Sequence, residues 1–538
     1  MHFWPDRRRF RSAFYGLTDD SHKKFFLEDK SMSKFGEFLG YTPEKKTSVR
    51  VEIVAGIVTF LTMCYILTVN PNQILYSGVS DARWSSLFIA TAFGAIIGTL
   101  LMAFLAKMPL AQASGMGLNS LLGSVIGGGV GAFAYHYEFT IGQAFMMVLI
   151  SGIVFLLLST ISIKGKTFRE MIFDGMPVAV RTAIPVGIGL FIAYIGFQNS
   201  GIIVGSQYTI SDLIQFSKFD ISVAAVAVCL VGLFLIAILD QLKIKGSVII
   251  GILGASIVGI PLGITDLNIL SGNEPGITWK FWENFANFFS VGENSVFGSF
   301  TTVFTEGFPA GSVFTVIMLI ITMCMIDMFD TMGTIVGCCA GIDVLSDPET
   351  GKPHNYGRIM LADSIATCTG AMLGTSTVTT FVESGSGVAA GGRTGITALT
   401  VAVMFFLAIF ALPVFAAIPS AASASALIYV GVLMMKSNVK NVDFSDAVNA
   451  VSAFLTIIIM VLGYSITDGI GIGMVTYTVL SVICYVCRII GYACKKEKTY
   501  VNEEGETVAV EKPKFNVSII AIIVTVLFLV YFLVPTVV

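Results

Sequence analysis

The sequence predicts an all-α polytopic membrane protein with about fourteen transmembrane segments in two inverted seven-helix repeats, in which segments 3 and 10 are broken and partly strand-like. Three observations predict it. First, the 538 residues are 55% hydrophobic and only 12% charged, and the mean hydropathy of +0.83 is far above that of soluble globular chains. Apolar runs of about 20 residues recur from Val51 to Val537, as helices crossing a roughly 30 Å hydrocarbon core require. Second, Lys and Arg fall on one side of the segments that these runs define. Third, the two halves repeat one another.

Residues 1–50 carry eleven Lys and Arg, beginning at Arg7, Arg8 and Arg9, and contain no apolar core followed by a cleavage site. This reads as a cytoplasmic tail rather than a signal peptide. Its Phe35, Phe38 and Leu39 suit a short amphipathic helix at the membrane surface. Spans are expected at 51–75, 84–106, 109–126, 140–163, 178–197, 219–240, 246–263, 313–337, 357–373, 376–391, 394–417, 420–436, 446–465 and 468–488. With the N-terminus inside, all of the 32 Lys and Arg except Arg83, Lys218 and Lys280 lie on the cytoplasmic side. A wrong number of spans would scramble that bias, so it supports both count and orientation in the cell (plasma) membrane. Residues 264–312, with Trp279 and Trp282, become an extracellular loop. Residues 515–537 do not fit the count: either they form a fifteenth helix, or 446–488 is not two full crossings.

The nine cysteines lie mostly within apolar runs, as buried thiols do. Cys484 and Cys487 form a C-x-x-C on an apolar helix, with no second pair or histidine to make a zinc or redox site.

Thr62-Met63-Cys64 in the first span matches Thr322-Met323-Cys324 in the eighth, and Val178–Gly196 resembles Ser420–Met435. The interrupted third span, QASGMGLNSLLGS, then corresponds to the interrupted tenth, which sets Asn119 opposite Glu383 at a common spacing of roughly 240 to 265 residues. Seven is odd, so the halves cross the membrane in opposite senses, the plan of secondary transporters.

Gly374–Gly395, GTSTVTTFVESGSGVAAGGRTG, places Glu383 in a stretch whose β-branched first half favours extended backbone and whose glycines weaken a helix. Broken segments at membrane depth survive only where protein encloses them. A carboxylate at such a break is a binding-site candidate. Asn119 and Glu383 sit where two half-helices begin, with backbone N–H groups turned toward the midplane; helix capping by Asn119, Ser384 or Ser386 is the plainer reading. In MCMIDMFDTMGT, Asp327 and Asp330 are three apart, on one helix face. A neighbouring helix satisfying Asp327 through Ser, Thr or backbone groups is the plain alternative to a functional role. Asp330 aligns with Asn70 of the first repeat.

Together VEIVAGIVTFLTMCYILTVNP (51–71), GMGLNS (115–120), DMFDTMGT (327–334), Gly374–Gly395 and ALIYVGVLM (426–434) closely resemble the AzgA-like branch of the nucleobase:cation symporters, the purine permeases. The resemblance runs from about Val51 to about Tyr485. It implies a core (transport) domain of spans 1–4 and 8–11, here 51–170 and 313–417, and a gate (scaffold) domain of spans 5–7 and 12–14, here 171–263 and 418–490. Residues 491–538 remain a basic stretch and the ambiguous hydrophobic segment. It further implies a homodimer and proton-coupled, elevator-type uptake of adenine, guanine or hypoxanthine, with no cofactor beyond the coupling proton. Matching by motif makes Glu383, Asn119 and Asp330, with Ser384 and Gly117 beside them, the substrate-binding positions, and Asp330, Asp327 and Glu383 the proton-coupling candidates. Gln112 and Ser114 stand where relatives commonly carry alanine and proline, a departure just before Asn119.

Other classes fit poorly. There is no HExxH or GxSxG, and His2, His22, His136 and His354 lie in tails or loops, so no intramembrane enzyme is indicated and no metal site. Gly165-Lys166-Thr167 imitates the end of a P-loop, but Thr160 replaces the required glycine. The basic tail is explained by topology and anionic lipid rather than nucleic acid. A same-fold carrier of xanthine, uracil or a small anion, or a channel or sensor, are the alternatives that uptake assays separate. The orientation has its own test. In a cysteine-depleted protein, a reporter cysteine near Asn284 is expected to react with an impermeant thiol reagent from outside and one near Asn355 is not; the opposite pattern reverses the topology.

Overall fold

The computed structural model describes residues 33–42, 45, 47–75, 78–126, 139–163, 166–167, 171, 175–205, 211–214, 216, 221–244, 246–271, 277–290, 295–309, 311–339, 344–345, 354–494, 499–501, 507–509, 515 and 517–533. After a short α1 (Ser33–Phe38), the first segment is two helices, α2 (Val49–Met63) and α3 (Ile66–Leu75), parted at Cys64 and Tyr65. Ser48 caps α2 by accepting from the Val51 N–H, and Pro71 inside α3 has no N–H for the turn before it. The second segment, α4 (Trp84–Leu101), runs on through a π-helical turn to Ala106. β1 (Gln112–Ser114) with α5 (Met116–Val125) makes the third, and α6 (Ile141–Thr160), α7 (Val178–Asn199), α8 (Ile221–Gln241) and α9 (Ser247–Gly259) complete the first seven.

Beyond α10 (Phe281–Phe289), whose stretch carries the exposed Trp279 and Trp282, the second seven follow. They are α11 (Val313–Cys339), α12 (Tyr356–Leu373), β2 (Val378–Thr380) with α13 (Ser384–Ala389), α14 (Gly395–Ile409) with α15 (Leu412–Ala416), α16 (Ser420–Asn438), α17 (Ala447–Leu462) and α18 (Ile466–Cys494). Among the described residues, eight helices are long and apolar enough to cross a membrane, and α9, α14 and α17 are apolar but shorter. The remaining three segments are α12, rich in small polar residues, and the two broken ones.

Both α17 and α18 form, and the C-terminal hydrophobic stretch becomes a further helix, α19 (Ile519–Leu533). At 15 residues it is ~22 Å long. It packs along α18, where Thr525 and Thr478 share a hydroxyl hydrogen bond of 2.7 Å, and Ser518 donates to the Gly175 carbonyl ahead of α7. At the N-terminal end the short α1 is followed by residues that pack inward. Leu39 is fully buried and its carbonyl accepts from the Gly395 N–H at 3.0 Å, while Phe38 stays exposed and meets the Phe104 ring. Lys45 donates to the Arg393 carbonyl at 3.0 Å; burial, helped by Lys107 and opposed by Glu52, holds its ammonium below the ordinary lysine range.

Helix packing falls into two sets. α12 packs on α4 and α6, α14 on α2 and α4, α3 on α4, and α11 on α6; α7 packs on α16 and α17, α8 on α9 and α16, and α17 on α18. The sets meet where α7 touches α5 and α11, α9 touches α2, and α16 touches α3. Large apolar side chains such as Phe234, Ile238, Ile257 and Phe454 point outward from α8, α9 and α17, the arrangement a lipid solvent favours.

Without a hydrophobic drive between helices in lipid, close approach depends on small residues. At the α7–α16 crossing a Cβ on Gly431 would collide with the Gly189 carbonyl, and one on Gly189 would lie 3.0 Å from the Gly431 carbonyl. Gly431→Val is therefore expected to destabilise the protein by about 1–3 kcal/mol, read as a lower melting temperature of the detergent-purified protein; an unchanged value would mean that this crossing is not tight.

Candidate functional site

Thr377, Val378, Thr379 and Thr380 are β-branched and take extended backbone more readily than helix. An extended strand in a membrane leaves its N–H and C=O groups unpaired unless another strand meets it. Here β2 meets β1, antiparallel, with Gln112 opposite Thr380, Ala113 opposite Thr379 and Ser114 opposite Val378. Gly115 N to Thr377 O and Phe381 N to Ala111 O, each 3.0 Å, extend the ladder at both ends. All six strand residues are buried.

Beside this crossing lies a small pocket lined by both helix sets. Asp330 and Thr334 of α11 and Thr380 to Glu383 at the end of β2 form its polar wall, Met116 and Gly117 its floor. Ile188 and Ile192 of α7 and Met434 of α16 face them from the other helix set. Glu383 is 6% exposed. Its Oε1 accepts from the Tyr65 hydroxyl at 2.6 Å, and its Oε2 has no hydrogen-bond partner among the described residues. Asp330 Oδ2 accepts a long bond, 3.4 Å, from Thr379.

Residues 50–472 match the family described as Permease family. The chain belongs to it. Adenine permease AdeP of Escherichia coli (strain K12) is 35% identical over 82% of this chain and 88% of its own length. Guanine/hypoxanthine permease PbuO of Bacillus subtilis (strain 168) is 34% identical over 81% of this chain and 92% of its own. These relatives agree with the AzgA-like purine permease branch that the motifs resemble, and they make the chain a multi-pass membrane permease rather than an enzyme. The fold is shared with the transmembrane domain of a cyanobacterium bicarbonate transporter, BicA, at 14% identity, TM-score 0.53, over 79% of this chain and 96% of that one. SLC26A9 shares it at 11% identity and TM-score 0.51, over 95% of this chain and 76% of that one.

Of the residues singled out in the sequence, the permease brings Glu383, Asp330 and Gly117 to the cavity wall. Asn119 and Ser384 lie behind it. Asn119 Oδ1 accepts from the Ser376 hydroxyl, its Nδ2 has no hydrogen-bond partner among the described residues, and Ser384 Oγ accepts from Ala111 N at 3.0 Å. Asp327 turns toward α12, where Thr367 donates to it at 3.0 Å. Asn70, the repeat mate of Asp330, donates to Thr91 at 2.6 Å and Thr375 at 2.9 Å, so the first repeat carries a neutral buried amide at the corresponding position. Among the described residues no group of three or more His, Cys, Asp or Glu is placed to hold a metal ion.

The two departures before Asn119 serve the strand crossing. Ser114 shares a 2.6 Å hydroxyl bond with Thr375, and Gln112 Nε2 donates to Asp363 Oδ1 at 3.0 Å and to Thr380 at 3.3 Å. Asp363 is a buried acid that sequence reasoning passed over, although an acid within the 357–373 run was itself the signal; it also accepts from Thr331 at 2.9 Å. Glu52 is the other. It lies one residue into the first expected span, is fully buried, and accepts from Arg393 N at 2.9 Å, Thr394 N at 3.2 Å and the Thr397 hydroxyl at 2.5 Å. Those donors would otherwise be orphans at the start of α14. Glu52→Ala is expected to destabilise the permease by about 1–3 kcal/mol, seen as reduced thermal stability of the ligand-free protein, with Glu52→Gln milder; wild-type stability of the alanine variant would remove the capping role.

Proposed function

We propose that this permease imports purine nucleobases, adenine, guanine or hypoxanthine, together with protons. The observation that carries this reading is the lining of the pocket: the buried Glu383 carboxylate, one of its oxygens without a partner among the described residues, and the partly buried Asp330 share it with apolar side chains of α7 and α16. A purine presents N–H donors on its rim and apolar ring faces. Glu383 Oε2 accepts from a rim N–H, Asp330 and Thr380 stand beside it, and Ile188, Ile192 and Met434 cover a ring face. The names of the adenine and guanine/hypoxanthine permeases among its relatives support the substrate class. Asn119 and Ser384 act from behind the wall, through Ser376 and Ala111. Two carboxylates at one cavity oppose an anionic substrate by simple charge repulsion.

In this reading the first-to-fourth and eighth-to-eleventh segments are the core domain, which carries the polar wall past a gate domain that contributes α7 and α16. Movement of the core exposes the loaded site to either side, as an elevator does. Asp330 is the proton carrier: neutralised, it lets the loaded core cross, and each proton draws about 2.3 kcal/mol per 100 mV from the membrane potential. The permease works as a homodimer in the plasma membrane with its N-terminus in the cytoplasm.

Uptake into proteoliposomes under an imposed pH gradient, with and without protonophore, tests this. Wild-type protein is expected to concentrate at least one of the three bases, and the other bases to compete. Asp330→Asn is expected to keep binding or exchange but lose concentrative uptake, and Glu383→Gln to weaken binding by about 1–3 kcal/mol. Accumulation that ignores the protonophore and follows sodium would overturn the coupling, and wild-type accumulation by Asp330→Asn would move the proton to another acid.

A further inference from the structure

Tyr65 occupies the break between α2 and α3 and is 1% exposed. Its hydroxyl lies 2.6 Å from Glu383 Oε1 and 3.6 Å from Met116 Sδ. A phenol has one proton to donate and a thioether is a weak acceptor, so the bond at 2.6 Å, in the short range of O–H···O bonds to carboxylates, takes it. Tyr65 is absent from the cavity wall, which Met116 and Glu383 themselves form. It therefore reaches a ligand only through those two.

The segments that carry Tyr65 and Glu383 are locked to each other. Thr62 and Ser386 share a hydroxyl bond of 3.0 Å, and a Cβ on Gly387 would strike the Thr59 hydroxyl and come within 2.9 Å of the Ala55 carbonyl. The Tyr65–Glu383 bond thus belongs to one packed unit, while the apolar wall opposite comes from α7 and α16. The terminal torsion of a glutamate is broad and roughly two-fold when nothing holds it. With Oε1 held, Oε2 is the oxygen left without a partner among the described residues.

We propose that Tyr65 is a positioning residue of the binding site: by occupying Oε1 it fixes the Glu383 carboxylate so that Oε2 alone is offered to the ligand. This rests on the reading of the cavity as a purine site. Holding an acceptor in its bound orientation before the ligand arrives raises affinity by reducing the ordering that binding requires.

Titration of the purified full-length protein with adenine, guanine and hypoxanthine tests it. Binding of any of the three by the wild type checks the purine reading, and binding of none removes that reading and this inference together. Given binding, Tyr65→Phe is expected to weaken affinity about ten-fold, with the maximal uptake rate at saturating base within about two-fold of wild type. In Glu383→Asp, whose shorter arm cannot reach the hydroxyl, the same Tyr65→Phe change is expected to alter affinity less than about two-fold. Equal losses in both backgrounds would reveal a packing role and overturn the proposal, as would wild-type affinity in Tyr65→Phe. Should either variant fail to accumulate or to bind, infrared difference spectra of wild-type protein carrying ¹³C-labelled tyrosine, with and without base, decide the matter: a tyrosine band that shifts on binding supports the positioning role, and its absence overturns it.

Discussion

An extended backbone inside a bilayer has no water to satisfy it, and the rest of this architecture follows from how the two broken segments meet that constraint. β1 and β2 pair with each other. Segments related by a two-fold axis in the membrane plane run in opposite directions, so their pairing is antiparallel, and the register centres on Ala113 and Thr379. Six buried residues with no lipid contact then hold two half-helices in place. Gln112, Ser114, Thr375 and Thr380 add side-chain bonds across the same seam.

The acids inside the bundle divide by what surrounds them. Glu52 is used up by two backbone N–H groups and a hydroxyl at the head of α14. Asp327 and Asp363 accept from threonine and glutamine on neighbouring elements. Each joins helices of the same packed set, where an unpaired charge would be costly and a hydrogen-bonded one tolerable. Only Glu383 and Asp330 among these five line the cavity. Asn70, which the sequence aligns with Asp330, is a neutral amide bonded to Thr91, Ser114 and Thr375.

The cavity also joins unlike surfaces. Its polar wall and floor belong to the set built from the first four and the eighth to eleventh segments, and its apolar wall to α7 and α16. A ligand held there touches both sets at once.

Much of this was legible in the chain without coordinates, because the signals are local. Hydropathy, the one-sided distribution of Lys and Arg, and the match of Thr62-Met63-Cys64 to Thr322-Met323-Cys324 determined the segments and their inverted repetition, since lipid imposes length and polarity on each span separately. The β-branched run before Glu383 marked the break and the acid within it. What tertiary structure decided was which polar side chains face one another. The alignment with Asn70 and the motif favoured Asp330 over Asp327, but only the structure puts Asp330 on the pocket and bonds Asp327, one turn away, to Thr367. Asn119 and Glu383 end differently: Ser376 engages the first, while Tyr65, more than 300 positions away along the chain, engages one oxygen of the second. Glu52 and Asp363 became recognisable as anchors only when their donors arrived from the other half of the molecule, a hydrogen-bond geometry that no local pattern encodes.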